Sequence, residues 1–304
     1  MTVPHSAEHP SERPAGANTG PNADHSAADT GAIPTVNDTA RAPSEEPAEM
    51  PRRALILGES AMALDLEQAY KRMGFDTRIG AASIAEAFYP GIIVTSGDAE
   101  DTIETVQEIS ERVGAVVAPS VEACRHTADR MAVRKQANEE LGLPVLDYEF
   151  AATPQEMHDA VERIGYPCVV KAPTSKDGEG FSFVHSDADL ADAWRAADRG
   201  LGQGAVVERF IDFDFEVTIL AARSIDPSTG ELATWFCEPI GTRHREGRLV
   251  ESWQPAPLPE AAMDNARSIA ARITGALASC GIFSVEMFVS GDDEYFFQVT
   301  TSPS

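Results

Sequence analysis

Hydrophobic residues in the first third of the chain alternate between short apolar runs and longer stretches of helical period. The run Arg53–Gly58 predicts a buried strand, and the following stretch Ala61–Met73 predicts a helix. The same alternation continues with strands at 74–78, 92–94 and 115–118 and a helix at 99–112. Strands that alternate with helices predict a parallel, doubly wound α/β sheet, whose ligands bind at the carboxyl ends of the strands.

From residue 119 onward the pattern changes to longer strand signals, several of them adjacent in sequence. Thr153, Pro154 and Glu156 predict an N-cap, a first helical position and a capping box. Helices are predicted after Pro119 and at 129–141, 153–164, 189–198 and 259–279. Strands are predicted at 168–172, 181–185, 205–211, 212–220, 234–241, 281–289 and 295–300, and residues 242–250 as a charged hairpin tip or loop.

The predicted strand Cys168–Ala172 carries the first candidate chemistry. It ends on Lys171, whose stem can stay packed while the ammonium faces a ligand. Gly178 and Gly180 in the next loop allow backbone amides to approach an anion closely. The pattern fits a phosphate site, and a solvated surface turn is the alternative.

The predicted strand 212–220 is apolar on one face and acidic on the other. Phe213, Phe215, Val217 and Ile219 share the apolar face, opposite Asp212, Asp214, Glu216 and Thr218. Such a polar face is usually solvated, and at the rim of a cleft it could grip ribose hydroxyls.

Composition narrows the classes of function. The 304 residues carry a net charge of −25, which disfavours a nucleic-acid or anionic-membrane partner. We find neither an apolar run of membrane-spanning length nor a signal-peptide pattern, so we expect a cytoplasmic protein. The four cysteines form no CxxC pair, and three lie in apolar contexts typical of reduced, packed thiols. Residues 1–51, with three histidines, lack a hydrophobic period and are predicted to be a disordered tail.

Taken in order, the motifs resemble the ATP-grasp superfamily. The carrying residues are Pro119-Ser120, Asp129-Arg130, 139–144, Lys171 with its glycine loop, Glu208, Glu216 and Glu286. Within it, Ile164–Lys171, Phe213–Glu216 and Glu251–Pro255 are similar to formate-dependent phosphoribosylglycinamide formyltransferases, over about residues 53–303. The resemblance implies a short α/β pre-ATP-grasp domain over 52–118 and an α+β ATP-grasp domain over 119–304.

The resemblance also implies a reaction and its cofactors. In that family ATP phosphorylates formate, and the amine of glycinamide ribonucleotide attacks the resulting formyl phosphate. By resemblance, Arg130, Lys171, Lys176, Gly178 and Gly180 would contact ATP phosphates, Glu208 and Ile211 the adenine, and Glu216 the ribose. Glu286 and Gln298 would hold Mg²⁺, Glu122 would contact the ribonucleotide, and the family suggests a homodimer.

The chain departs from the family pattern in several places. Gln298 stands where a second metal carboxylate is expected, and Glu179 where the phosphate loop usually has a lysine. Ser60-Ala61-Met62 replaces the substrate-binding Gly-Glu-Leu turn, and the family's C-terminal region, with its phosphate-binding cations, does not follow Pro303. Two alternatives stay open: an impaired or truncated relative that serves as a nucleotide-binding or interaction protein, and an ATP-grasp carboxylase or ligase with another substrate.

Overall fold

A computed structural model of the chain describes residues 52–96, 100–173, 180–245, 248–291 and 293–301. The side chains of 244, 245 and 248 are not among the described parts. The predicted tail, with its histidines, and the loop residues Lys176, Gly178 and Glu179 also lie outside them. All described residues belong to one compact unit, Glu49–Ser304.

The first sheet is parallel, with strand order β2-β1-β3-β4, as the alternating pattern predicts. Its strands are β1 (Arg53–Leu57), β2 (Asp76–Gly80), β3 (Ile92–Thr95) and β4 (Val116–Ala118). Its helices are α1 (Ala61–Arg72), α2 (Ala85–Phe88) and α3 (Ile103–Val113), with a 3₁₀ turn at Ala82–Ile84. Helix α3 starts four residues later than predicted, because the Thr102 hydroxyl accepts from the Thr105 amide and caps it there.

Two helices lead into a second, antiparallel sheet of order β5-β8-β6-β7. The helices are α4 (Val121–Ala128) and α5 (Arg130–Lys135), which continues as a π-helical turn at Gln136–Glu140. The sheet region comprises β5 (Tyr148–Ala151), α6 (Pro154–Ile164), β6 (Cys168–Lys171), β7 (Ser182–Val184), a 3₁₀ turn (Asp187–Asp189), α7 (Leu190–Asp198) and β8 (Ala205–Arg209). Strand β5 was not predicted. Thr153 caps α6 as predicted, but the Glu156 carboxylate accepts from the Ala152 amide, one residue before the N-cap, so the predicted capping box is wrong.

The third sheet has the order β12-β11-β9-β13-β14, and β10 also pairs with β9. Its elements are β9 (Phe215–Ile225), β10 (Leu232–Phe236), β11 (Ile240–Arg245), β12 (Arg248–Trp253), α8 (Glu260–Ala276), β13 (Gly281–Ser290) and β14 (Asp293–Thr300). The predicted single strand 234–241 is wrong, because β10 and β11 pair with different stretches of β9. Residues 242–250 belong largely to the β11–β12 hairpin strands.

Helix α8 covers the third sheet, and the largest core lies between them. Ala266, Ile269 and Ile273 of α8 are buried in the same cluster as Phe283 and Val285 of β13. No helix among the described residues is both long enough and apolar enough to cross a membrane.

The cysteine expectation is corrected in part. All four thiols are free, but only Cys168 is buried; Cys124 is half-buried, and Cys237 and Cys280 are exposed. Cys237 directly follows β10 and Cys280 directly precedes β13, and at such strand ends apolar neighbours in the sequence do not ensure burial.

Candidate functional site

The antiparallel pairing of β6 and β8 brings the strand lysine to a glutamate. Val169 pairs with Glu208, so Lys171, two residues along, projects from the same face of the sheet. Its Nζ donates to Glu208 Oε2 at 2.6 Å. The ammonium, expected to face a ligand directly, is therefore engaged by a carboxylate of its own chain.

Helix α5 supplies two arginines to the same place. Arg134 is buried; its Nη1 pairs with Glu208 Oε1, and its Nη2 donates to the Phe297 carbonyl at 3.2 Å. Arg130 lies one helical turn earlier, half-buried, and has no hydrogen-bond or ion-pair partner within the described parts of the chain. One cation is thus tied into the protein, while the other is open to an anionic ligand.

Strands β13 and β14 place Glu286 beside Gln298. The two residues are paired in register, and Glu286 is also paired with Thr218 of β9. Gln298 Nε2 donates to Glu286 Oε2 at 2.7 Å. The polar face predicted for 212–220 is therefore not simply solvated: Thr218 is buried and Glu216 half-buried, and β9 itself begins only at Phe215.

The three cations, Glu208 and Gln298 line one cleft between the second and third sheets, and Glu286 adjoins it through its hydrogen bond to Gln298. Its lining residues are Arg130, Met131, Arg134, Lys171, Ala172, Pro173, Val206, Glu208, Phe297 and Gln298. Phe297 reaches it because of a β-bulge: the β13–β14 register passes from Glu286 and Gln298 to Met287 and Phe296, leaving one extra residue. The cleft thus combines cations, an aromatic ring and the Glu286–Gln298 pair.

Burial and neighbouring charges shift the pKa values of the ionisable groups in this cleft in opposite directions. Burial lowers the pKa of Arg130, with Glu286 and Glu208 opposing the shift. Burial also lowers the pKa of Lys171, again opposed by Glu208. Burial alone would raise the pKa of Glu208, but Lys171 and Arg134 outweigh it and hold that pKa at about 2. Among the described residues, these three cations, Arg134 included, lie near two carboxyl groups, a balance that favours an anionic ligand such as phosphate.

The other predicted contacts are less directly placed. Ile211 follows β8, Glu216 lies near the start of β9, and Glu122 is exposed on the first turn of α4; all three lie outside the cleft lining, and their roles stay predictions. Gly180 has a structural explanation, because a Cβ there would come within 2.8 Å of the Ala172 side chain at a φ of +73°. Its carbonyl also accepts from the Ala172 amide at 3.2 Å.

Sequence reasoning missed six of the ten lining residues, among them Arg134 and Phe297. Arg134 follows Arg130 by four positions, a spacing that places both on one helix face and could have identified it. Phe297 could not have been found in this way, since a bulge leaves no periodic signal.

The donor groups of Glu286 and Gln298 suit a single Mg²⁺ ion. Mg²⁺ is commonly held by one or two carboxylates together with substrate phosphates and water. One carboxylate and one amide oxygen, presented after rotation of the Gln298 amide, fit one ion that takes its remaining ligands from a nucleotide. The Glu286–Gln298 hydrogen bond has to open for that.

Comparison with known proteins agrees with this combination of sheets and site. The sequence model of the ATP-grasp domain family matches residues 136–300 of this chain. This range contains β6, β8, β13 and β14, which supply Lys171, Glu208, Glu286 and Gln298. The chain belongs to the ATP-grasp family.

Relatives narrow the class further. A formate-dependent phosphoribosylglycinamide formyltransferase of Corynebacterium efficiens is 41% identical over 279 residues, covering 83% of this chain and 69% of the relative. The protein of the same name from Corynebacterium jeikeium is 52% identical over 200 residues, covering 65% and 49%. Within the ATP-grasp family, the chain belongs to the formate-dependent phosphoribosylglycinamide formyltransferases.

A solved structure supports the same assignment. The Mycobacterium tuberculosis protein titled glycinamide-RNase-transformylase T superposes with a TM-score of 0.68 at 27% identity, over 83% of this chain and 74% of that one. The chain spans roughly half to two thirds of the length of the two curated relatives.

Proposed function

We propose that the cleft binds ATP together with Mg²⁺. Arg130 and Lys171 would contact the phosphates, and Glu286 with Gln298 would hold the ion. A magnesium ion bound with the nucleotide supplies neutralisation of phosphate charge. Phosphoryl transfer depends chiefly on positioning and charge neutralisation, so this cleft needs no protein nucleophile.

The reaction we infer is ATP-dependent formyl transfer to phosphoribosylglycinamide. The γ-phosphoryl group passes to a formate oxygen, releasing ADP. The substrate amine then attacks the formyl carbon, phosphate leaves, and the amine loses a proton. The relatives' shared name and the match along most of this chain support this substrate set. A cytoplasmic location and a homodimer are part of the same proposal.

The observation that carries the proposal is the convergence of separate elements on one cleft. Helix α5 provides Arg130, strand β6 provides Lys171, and the β13–β14 hairpin provides Gln298 with Glu286 hydrogen-bonded to it. These residues are far apart in sequence, and each has the chemistry that a metal–nucleotide complex needs.

The test is ADP release measured with ATP and Mg²⁺ alone, then with formate, then with formate and phosphoribosylglycinamide. We expect substantial release in the complete mixture only, together with formylated product. A Lys171→Met variant should lose this release, whereas Lys135→Met, which removes an exposed cation of α5, should keep it. A complete mixture that releases no more ADP than ATP alone refutes the formyltransferase proposal.

A second candidate is a protein that binds nucleotide without turning it over. Two contacts favour it: Gln298 offers a neutral group beside Glu286, and Lys171 is engaged by Glu208. Calorimetric titration with ATP and Mg²⁺ distinguishes the two. Binding without ADP release in any mixture supports the second candidate, and no heat at millimolar ATP contradicts both.

A further inference from the structure

Phe297 and Gln298 are consecutive residues of β14, yet both line the cleft. In a regular strand, consecutive side chains point to opposite faces of the sheet. The β-bulge opposite Glu286 and Met287 removes that alternation at this point. The aromatic ring is therefore directed into the cleft by the backbone itself.

Inside the cleft, the Phe297 ring lies against Lys171. The distance from Lys171 Nζ to the ring centroid is 4.2 Å, within the range of a cation–π contact. The Glu208 carboxylate contacts the same ammonium at 2.6 Å. The ring of Phe181 lies farther off, 6.0 Å from Nζ to its centroid, and the Lys171 side chain is only 15% exposed.

The backbone and the ring of Phe297 are held by different neighbours. Arg134 donates to the Phe297 carbonyl, and the ring of Phe288 packs 5.0 Å from that of Phe297, centroid to centroid. Arg134 is in turn held by Glu208. With the backbone held in this way, the ring can leave Lys171 only by side-chain rotation, which also breaks its contact with Phe288.

We propose that Phe297 controls the access of phosphate groups to Lys171. The ring covers one side of the ammonium, so it has to rotate away before a phosphate can take its place there. A bound phosphate thus replaces the cation–π contact, so the ring lowers the affinity for any phosphate ligand. The ligand's identity as a nucleotide rests on the proposed function, whereas the shielding of Lys171 does not.

The shielding is measured without nucleotide, by acylating the protein with a small N-hydroxysuccinimide ester and following Lys171 by peptide mass spectrometry. Phe297→Ala should raise the acylation rate of Lys171 about three- to thirtyfold, the range expected for loss of one cation–π contact. Phe297→Tyr keeps the ring and should react like the wild type. Lys135, which is 65% exposed, is the internal reference and should not change. Equal Lys171 rates in wild type and Phe297→Ala overturn the proposal.

Affinity provides the second readout. Phe297→Ala should bind ATP and inorganic tripolyphosphate more tightly than wild type by the same factor, since both need Lys171. Weaker ATP binding with unchanged tripolyphosphate binding would make the ring a stacking surface for the base and overturn the proposal. Faster acylation in a protein that binds no ATP supports the shielding by Phe297 and refutes nucleotide binding.

Discussion

Removing the charge of Glu208 should strongly destabilise the folded protein. Glu208 is 4% exposed and is the common partner of Lys171 and Arg134. Glu208→Gln keeps the shape of the side chain but leaves two buried cations without their counter-ion. Removing one partner from a buried ion pair typically costs about 3–5 kcal/mol.

The depressed pKa of Glu208 reflects the same two ion pairs. The two cations hold it at about 2 in the folded protein, against an ordinary value of 4.5. A shift of that size corresponds to roughly 3 kcal/mol, in agreement with the ion-pair range. Because the folded-state pKa is depressed, this stabilisation is fully present above about pH 4.5 and is lost as the pH falls towards 2.

Equilibrium unfolding in urea measures how much Glu208→Gln lowers the free energy of unfolding. Glu149→Gln on the adjacent strand β5 is the matched control, because its partner Arg163 is 60% exposed and such pairs contribute less than about 1 kcal/mol. Adding Lys171→Met to Glu208→Gln removes one of the stranded cations and should recover part of the loss. The reasoning is refuted if Glu208→Gln costs no more than Glu149→Gln, or if both retain the same dependence on pH between 4.5 and 2.

Two further predictions concern the metal ligands and the fold. Gln298→Glu should tighten binding of ATP with Mg²⁺ by about 1 kcal/mol, roughly fivefold, since it adds a carboxylate beside Glu286. Calorimetry measures this affinity, with Gln155→Glu as the exposed control. An unchanged or weaker affinity contradicts the assignment of Gln298 as a metal ligand. Gly281→Ala should destabilise the protein by about 1–3 kcal/mol. Its φ is +143° and its Cβ would lie 2.6 Å from Pro119 Cγ, whereas Gly291→Ala at φ +62° meets nothing within 4 Å; equal unfolding free energies for these two variants would show that packing against Pro119 is unimportant.

Much of the fold was predictable because its local signals agree with its tertiary environment. The buried strand β1, the Thr153 cap of α6 and the alternation over 53–118 were all expected and are present. The errors fall where pairing partners decide the outcome. The break between β10 and β11 depends on how each pairs with β9, and the apolar–polar pattern of 234–241 contains no sign of it.

In the candidate site, too, the residue types could be predicted from the sequence but their pairing could not. Lys171, Arg130 and Glu286 could be proposed from motifs that resemble a known family, and the structure places Arg130 and Lys171 in one cleft, with Glu286 beside its lining residue Gln298. The ion pair between Lys171 and Glu208 could not be predicted from the sequence, because it depends on the register between β6 and β8.

The sequence by itself determined which residue types were present: a lysine at a strand end, two arginines four positions apart, and a glutamine where a carboxylate was expected. Short-range periodicity and resemblance record such facts directly. Only the tertiary structure decided how these groups are satisfied. Antiparallel pairing set Glu208 between Lys171 and Arg134, and a one-residue bulge turned Phe297 towards the ammonium. Register and bulges arise from contacts between distant strands, and for that reason the charges of this cleft could be listed from the sequence but not paired.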